Sequence, residues 1–462
     1  MMCDATRAAF VLLQLLCLSG GATAFVVLQR PNTSLATIPT AYFGGKGGKS
    51  GPRDDANIAM LAKSRLIILE KWEGPCWDGC LANATAEPPL PCSPSCDVES
   101  HMLTTLRRVR ALNPRVTTML YLNTLLLFPF YSLAERYIEQ GALLIDSQTG
   151  KPVELRNDDG MPGVLVPDFG QAAARALWMG EVEGWLATGL VDGIFADKWP
   201  DQAHANHTDN SSWLVCNHVC GTVTAEQGAA FNAGKMTLRQ DVSDLFKVND
   251  DSSFNGLLYG DGCDGCYRKS PRIDGNLVGP WLKNWQFVPT HERTTGQNVL
   301  NLMAQTRQML HEYNYSYVYI GCGDHNPSEG KPFKHTCADD LCTDCTPQGI
   351  AIFLLLVEEG VCEFQPPPGL ASSPAGHRAP MPPRCALQFV VQLMMPFVCV
   401  PVVLGTNGWD PAFEKSLGAP LGPAVNVTNN VGELVGLTRE FASGTRVAFN
   451  LSNNSAVVEW AE

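Results

Sequence analysis

Asp192-Gly193-Ile194-Phe195-Ala196-Asp197 is the stretch that decides how this chain reads. It lies in an apolar run, residues 191–199, that reaches a carboxylate at Asp197 and continues into Lys198 and Trp199. A short apolar run bounded by polar residues is the mark of a parallel strand covered on both faces. In a (β/α)8 barrel, side chains at the carboxyl ends of such strands surround the catalytic mouth. One aspartate alone could equally cap a loop. The weight comes from recurrence of the pattern along the chain.

Eight short apolar runs are readable as strands: residues 41–45, 66–72, 117–123, 164–169, 191–199, 256–261, 317–324 and 361–365. Helical patterns fall between most of them, over 54–63, 98–112, 132–140, 171–187, 225–246, 295–313 and 348–358. Alternation of strand and helix means βαβ units, and eight of them point to closure into a TIM barrel, an α/β fold. Four long inserts, 74–97, 200–222, 262–289 and 325–347, all follow strands. In a barrel those loops gather on one face, the catalytic one. They carry most of the close cysteine pairs and the aromatics Trp77, Trp213, Tyr267, Trp281, Trp285 and Phe333.

Residues 1–24 have the parts of a secretory signal peptide: Arg7, an apolar stretch over 8–18, and small residues at Ala22-Thr23-Ala24. Removal of that segment takes Cys3 and Cys17 with it, leaving an odd number of the 17 cysteines. Cys76/Cys80, Cys92/Cys96, Cys216/Cys220, Cys263/Cys266 and Cys342/Cys345 are close pairs, most simply structural disulfides in an oxidising compartment. The connectivity is open. Zinc held by His335, Cys337, Cys342 and Cys345 is the weaker alternative, since the spacing fits no common finger, so no metal is expected. Eight Asn-x-Ser/Thr sequons begin at Asn32, Asn83, Asn206, Asn210, Asn314, Asn426, Asn450 and Asn453, as in a glycoprotein of the secretory route.

The formal charge of -13 argues against nucleic acid as a partner. Residues 386–404 are almost wholly apolar but are interrupted by Gln388, Gln392, Pro396 and Pro401. A buried last barrel helix with its following segment fits better than a membrane span. Beyond the barrel, 434–440, 446–451 and 456–460 read as three β-segments with turns at Gly444 and Asn453-Asn454. So short a segment builds no core of its own and is expected to pack on the barrel. The expected division is a barrel domain over 25–425 and a small sheet over 426–462, in a secreted monomer.

The strand ends collect carboxylates: Glu70, Asp168, Asp197, Asp261 and Asp324, with Glu363 inside the last strand and Asn123 closing the third. So many acidic groups around one ring would repel one another and resist desolvation unless they had work to do. Neighbouring carboxylates push their pKa values apart, so one stays protonated while another is ionised. Cleavage of a glycosidic bond needs that asymmetry: one acid protonates the leaving oxygen, and a second carboxylate attacks the sugar or activates water. Asp197 is the expected nucleophile or base. Asp261, on the adjacent strand, ranks first as its partner, then Glu70 and Asp324.

Asn123 and Lys198 are candidate donors to substrate, Asp168 either orients a hydroxyl or caps the following helix, and Trp199, Trp281 and Trp285 could stack on sugar rings. The substrate expected is carbohydrate, with no cofactor. Gly44-Gly45-Lys46-Gly47-Gly48-Lys49-Ser50 imitates a phosphate loop, but Phe43 stands where glycine is required. No G-x-S-x-G occurs to pair with His101, His291 or His325, so a serine hydrolase is unsupported.

The Asp-Gly-x-Phe-x-Asp strand resembles that of the glycosyl hydrolase-like barrel proteins, of the family 15 type and distinct from glucoamylases. AIFLLLVEEGVCEF at 351–364, WDPAFEKSLGAPLGPA at 409–424 and LTREFASGTRVAFN at 437–450 are similar to three further segments of that group. The resemblance implies a (β/α)8 barrel acting on glycosidic bonds, and transfers Asp197 as the motif's carboxylate. The chain departs from the pattern in its cysteine-laden loops and in Lys198, where an uncharged side chain is usual. Those departures leave a sugar-binding barrel without turnover as the alternative.

Overall fold

The computed structural model describes residues 41–44, 53–71, 73–74, 98–155, 163–199, 202–206, 212–216, 219–246, 257–260, 275–276, 300, 351, 354–355, 402–404, 414–452 and 455–461. The first half alternates as the sequence reads: β1 (Ala41–Gly44), α1 (Asp55–Leu61), β2 (Leu66–Leu69), α2 (Val98–Leu112), β3 (Thr117–Asn123) and α3 (Ser132–Glu139). A two-stranded antiparallel pair follows, β4 (Glu154–Leu155) and β5 (Val164–Leu165), then α4 (Ala172–Ala187) and β6 (Gly193–Asp197). β7 (His204–Ala205), β8 (Ser212–Cys216) and β9 (Cys220–Thr224) form a second antiparallel sheet leading into α5 (Ala225–Leu245). The remaining strands are β10 (Leu257–Gly260), β11 (Gly275–Asn276), β12 (Val402–Leu404), β13 (Val425–Thr428), β14 (Leu434–Glu440), β15 (Arg446–Asn450) and β16 (Ser455–Glu459).

Seven strands make one parallel sheet in the order β11-β10-β6-β3-β2-β1-β12. Parallel pairing forces a crossover between neighbours, and α1, α2 and α4 supply crossovers here. All seven residues of β3 and all four of β2 are buried, which is why these strands read as continuous apolar runs instead of alternating ones. Phe128, Tyr121, Trp178, Trp199 and Phe231 are among the largest buried side chains of the core. Two buried polar groupings pin the sheet to its helices. Arg53 binds Glu73 with two 2.7 Å hydrogen bonds and the Tyr42 hydroxyl at 3.0 Å, while Thr105 Oγ1 donates to Glu73 at 2.7 Å. At the start of β6, Asp192 accepts from Arg110, from the Thr118 amide at 2.8 Å and from the Thr118 hydroxyl at 3.1 Å.

The expected fourth strand needs correction. β3 pairs directly with β6, and residues 164–169 lie outside the parallel sheet. Val164 and Leu165 pair antiparallel with β4, and bridges join Leu165 to Leu127 and Pro167 to Leu143. Pro167 lacks the amide that a central strand must donate on alternate sides, so its short run suits an edge pairing instead. Two strands of the parallel sheet were in turn hidden. Residues 402–404, the tail of the long apolar stretch, pair with β1, and Gly275–Asn276 pairs with β10 inside an expected insert. The expected strands at 317–324 and 361–365 lie outside the described residues.

The C-terminal segments fold as expected into an antiparallel sheet, joined by β13, which the sequence reading did not include, in the order β13-β14-β15-β16. Gly444, at φ 93°, makes the β14–β15 turn that a side chain would oppose. Arg439 is buried and donates to the carbonyls of Gly422 at 2.8 Å, Leu354 at 3.0 Å and Leu355 at 3.2 Å, fastening this sheet to a helical turn of the preceding chain. Cys216 and Cys220 are disulfide-bonded across the β8–β9 hairpin. The other cysteine pairs lie outside the described residues. No helix among the described residues is long and apolar enough to cross a membrane.

Candidate active site

Parallel register brings Glu70, Tyr121, Asn123 and Asp197 together at the carboxyl ends of neighbouring strands. Asn123 pairs with Asp197, Tyr121 with Phe195, and Leu120 with Leu69, so Glu70 is the next residue of β2's chain beside Tyr121. Side chains two apart share a face of a strand, which places Tyr121 with Asn123 and Phe195 with Asp197. The rings of Tyr121 and Phe195 stack at 6.0 Å between centroids.

Asp197 is half-buried and held at both oxygens. Oδ2 accepts from the Tyr121 hydroxyl and from Asn123 Nδ2 at 2.7 Å, and Oδ1 accepts from the Lys198 amide at 2.7 Å. Its main-chain carbonyl takes both the amide and the hydroxyl of Thr124, each at 2.9 Å. Such donors fix the orientation of the carboxylate. Asn123 is itself fixed, because its Oδ1 accepts from the amides of Leu125 and Leu126 at 2.7 Å each. Burial raises the Tyr121 phenol well above its ordinary range, and the charge and hydrogen bond of Asp197 and the charge of Glu70 push the same way. The phenol therefore remains a donor at neutral pH, flanked by two carboxylates from separate strands.

Lys71 supplies the counter-charge. Its ammonium lies 2.5 Å from Glu70 Oε1 and 4.5 Å from the centre of the Tyr121 ring. Behind Asp197 the chain turns sharply. Lys198 has φ 55°, a left-handed conformation uncommon for a residue with a side chain. Two buried cations of α5 brace the turn: Lys235 Nζ donates to the Lys198 carbonyl at 2.9 Å, and Arg239 donates to the Trp199 carbonyl. Gly234 lets α5 lie against the backbone at Phe169 and Gly170, since a Cβ there would sit 1.8 Å from the Phe169 carbonyl oxygen.

Among the residues picked from sequence, Glu70, Asn123, Asp197 and Lys198 come together here. Trp199 is 2% exposed with Arg239 over its ring at 5.8 Å, so it packs beneath the turn and offers no open face for stacking. Asp168 is not at a strand end of the parallel sheet, because that run lies outside the sheet. Its carboxylate accepts from the Gly170 amide at 3.1 Å and from Gln171 Nε2 at 2.9 Å, at the start of α4. Asp261, Asp324, Trp281 and Trp285 lie outside the described residues. Tyr121, Lys71, Lys235 and Arg239 were not picked. Tyr121 was within reach, because period two puts it on the face of Asn123; the cations of α5 show no signal, being contacts distant in sequence. No group of three or more His, Cys, Asp or Glu among the described residues is arranged to hold a metal.

No family model matches the chain, and no curated protein matches it. Among solved structures it is similar to a dextranase from Flavobacterium johnsoniae, with 11% identity and a TM-score of 0.43 over 83% of this chain. The chain spans only 38% of that dextranase. It is also similar to a glycoside hydrolase domain from Pseudomonas aeruginosa, with 11% identity and a TM-score of 0.32 over 61% of this chain and 84% of the other. A maltogenic α-amylase from Thermotoga neapolitana gives 9% identity and a TM-score of 0.41 over 92% of this chain and 94% of the other. At these identities and scores the likenesses assign neither family nor activity.

Proposed function

We propose that the protein is a secreted glycoside hydrolase-like enzyme that cleaves O-glycosidic bonds in an oligo- or polysaccharide. The observation that carries this reading is the Asp197 carboxylate, held by Tyr121, Asn123 and the Lys198 amide at the carboxyl edge of a parallel sheet. A carboxylate held in place by three donors and still half-exposed suits a nucleophile or base. The reading includes a full (β/α)8 barrel over residues 25–425, completed by strands at 317–324 and 361–365, with 1–24 removed as a signal peptide and 426–462 packed as a small appendage.

Asp261 is the proposed acid. Gly260 pairs in register with Ala196, and Asp261 and Asp197 are the next residues of the two chains. Glu70 and Asp324 rank behind it. Asn123 and Lys198 are proposed to bind sugar hydroxyls, and Trp281 and Trp285 to stack on the rings. A second reading, a carbohydrate-binding barrel without turnover, has one observation in its favour: Lys71 neutralises Glu70 at 2.5 Å. Incubating the purified protein with a panel of polysaccharides and following new reducing ends tests both. Release of reducing ends supports the enzyme; retention on a polysaccharide with no release supports the binding barrel.

A further inference from the structure

Asn450 ends β15 and opens the sequon Asn450-Leu451-Ser452. It is exposed, and its Oδ1 accepts from the Ser452 amide at 2.9 Å. With the carbonyl oxygen turned back on the sequon, the amide nitrogen is the group left for substitution. Asn206 differs: it is half-buried, and its Nδ2 donates to Ser212 Oγ at 3.2 Å.

The face on which Asn450 stands carries an exposed valine patch, bordered on its far side by the charged row Glu440, Arg446 and Glu459. Cross-strand partners share a face, so one row contains Val427, Gly436, Asn450 and Ser455 and the next contains Val425, Thr438, Ala448 and Val457. Val425, Val427 and Val457 are 59%, 41% and 54% exposed, whereas Leu437, Val447 and Phe449 on the opposite face are buried in the core. An apolar face of this kind left bare invites association with other chains. The acceptor asparagine sits within it, one strand from the Val457 strand and two from Val427.

We propose that Asn450 is an N-glycosylation site and that its glycan lies over this valine face, covering it from other chains. The donor class is an oligosaccharide linked to a lipid through pyrophosphate in the secretory lumen. Nδ2 attacks the anomeric carbon, forming a carbon–nitrogen bond. The carbon–oxygen bond to pyrophosphate breaks, its electron pair leaving on the lipid pyrophosphate, and one amide proton passes to a base. The proximal sugars present apolar C–H faces to the valines.

The test uses the full chain secreted from glycosylating eukaryotic cells. Enzymatic release of N-glycans in heavy-oxygen water converts a modified asparagine to labelled aspartate, and peptide mapping separates Asn450 from Asn426, which points to the other face of β13. Label at Asn450 is expected; an unlabelled Asn450 in the secreted protein overturns the site. Asn450→Gln and Ser452→Ala should each lose one glycan step in mobility and shift to higher oligomers in sedimentation. Adding Val427→Thr and Val457→Thr to Asn450→Gln should return the monomer. Native deglycosylation of the unaltered protein should produce the same shift without any substitution. Sedimentation unchanged after glycan loss overturns the covering role.

Discussion

Asn123 and Asp197 face each other across neighbouring parallel strands, and Asn123 Nδ2 lies 2.7 Å from Asp197 Oδ2. The Tyr121 hydroxyl donates to the same oxygen. One oxygen of the carboxylate is therefore pinned from the sheet, while the other takes the amide of a strained turn. Orientation of this kind is what a reacting carboxylate requires before substrate arrives.

Tyr121→Phe should keep the fold, because the ring still stacks on Phe195, but remove one donor to Asp197. A hydrogen bond to a charged group is worth about 1.5–3 kcal/mol, or roughly 10- to 100-fold in rate. Turnover on whichever glycan the panel identifies should fall by that order, with the melting temperature nearly unchanged. Loss of folding in this variant would show a structural role instead.

Alkaline stability follows from the same phenols. Burial raises Tyr42 and Tyr131 as well as Tyr121, with the charge of Glu99 adding to it at Tyr131 and that of Asp197 at Tyr121. Below about pH 10 both folded and unfolded chains keep these protons. Above it the unfolded chain releases them first, so stability is lost as pH rises toward the folded values. Melting temperature should drop above about pH 10, and the drop should be shallower in Tyr121→Phe. An identical slope in that variant would contradict the assignment.

Glu73→Ala strands Arg53 in the core beside Tyr42. Removing one partner of a buried ion pair costs about 3–5 kcal/mol, and Thr105 loses its acceptor too. Denaturant unfolding should show a loss of that size. A change below about 1 kcal/mol, the range of an exposed pair, would mean that the pair is solvated in solution.

Lys235→Met removes the cation that braces the Lys198 carbonyl at 2.9 Å. Losing a hydrogen bond from a charged donor costs about 1.5–3 kcal/mol. Because the brace acts on the turn that supplies the Lys198 amide to Asp197, kcat should fall while KM stays near its original value. A raised KM with kcat unchanged would argue that Lys235 contributes to binding alone.

Much of this arrangement is legible before any coordinates. The segments 66–69, 119–122 and 193–196 read as strands because burial on both faces leaves them continuously apolar. Asp197 is visible because it breaks such a run at its carboxyl end. Residues 164–169 mislead for the same reason in reverse: their apolar side chains are buried in a local antiparallel lobe, and composition does not report which partner buries them. Val402–Leu404 was obscured by the longer apolar stretch around it, since period and composition do not separate a three-residue strand from a buried helix. The bracing of Lys198 and Trp199 by Lys235 and Arg239 depends on contacts about forty residues apart in the chain, which no local pattern records.

Turnover by Asp197→Asn, measured on the responsive polysaccharide beside the parent protein, tests the central claim most directly. The substitution keeps shape and size while deleting the charge and the nucleophilic oxygen. Glycan cleavage should vanish while far-ultraviolet circular dichroism and melting temperature persist. Cleavage at the parental rate in that folded variant would contradict the account.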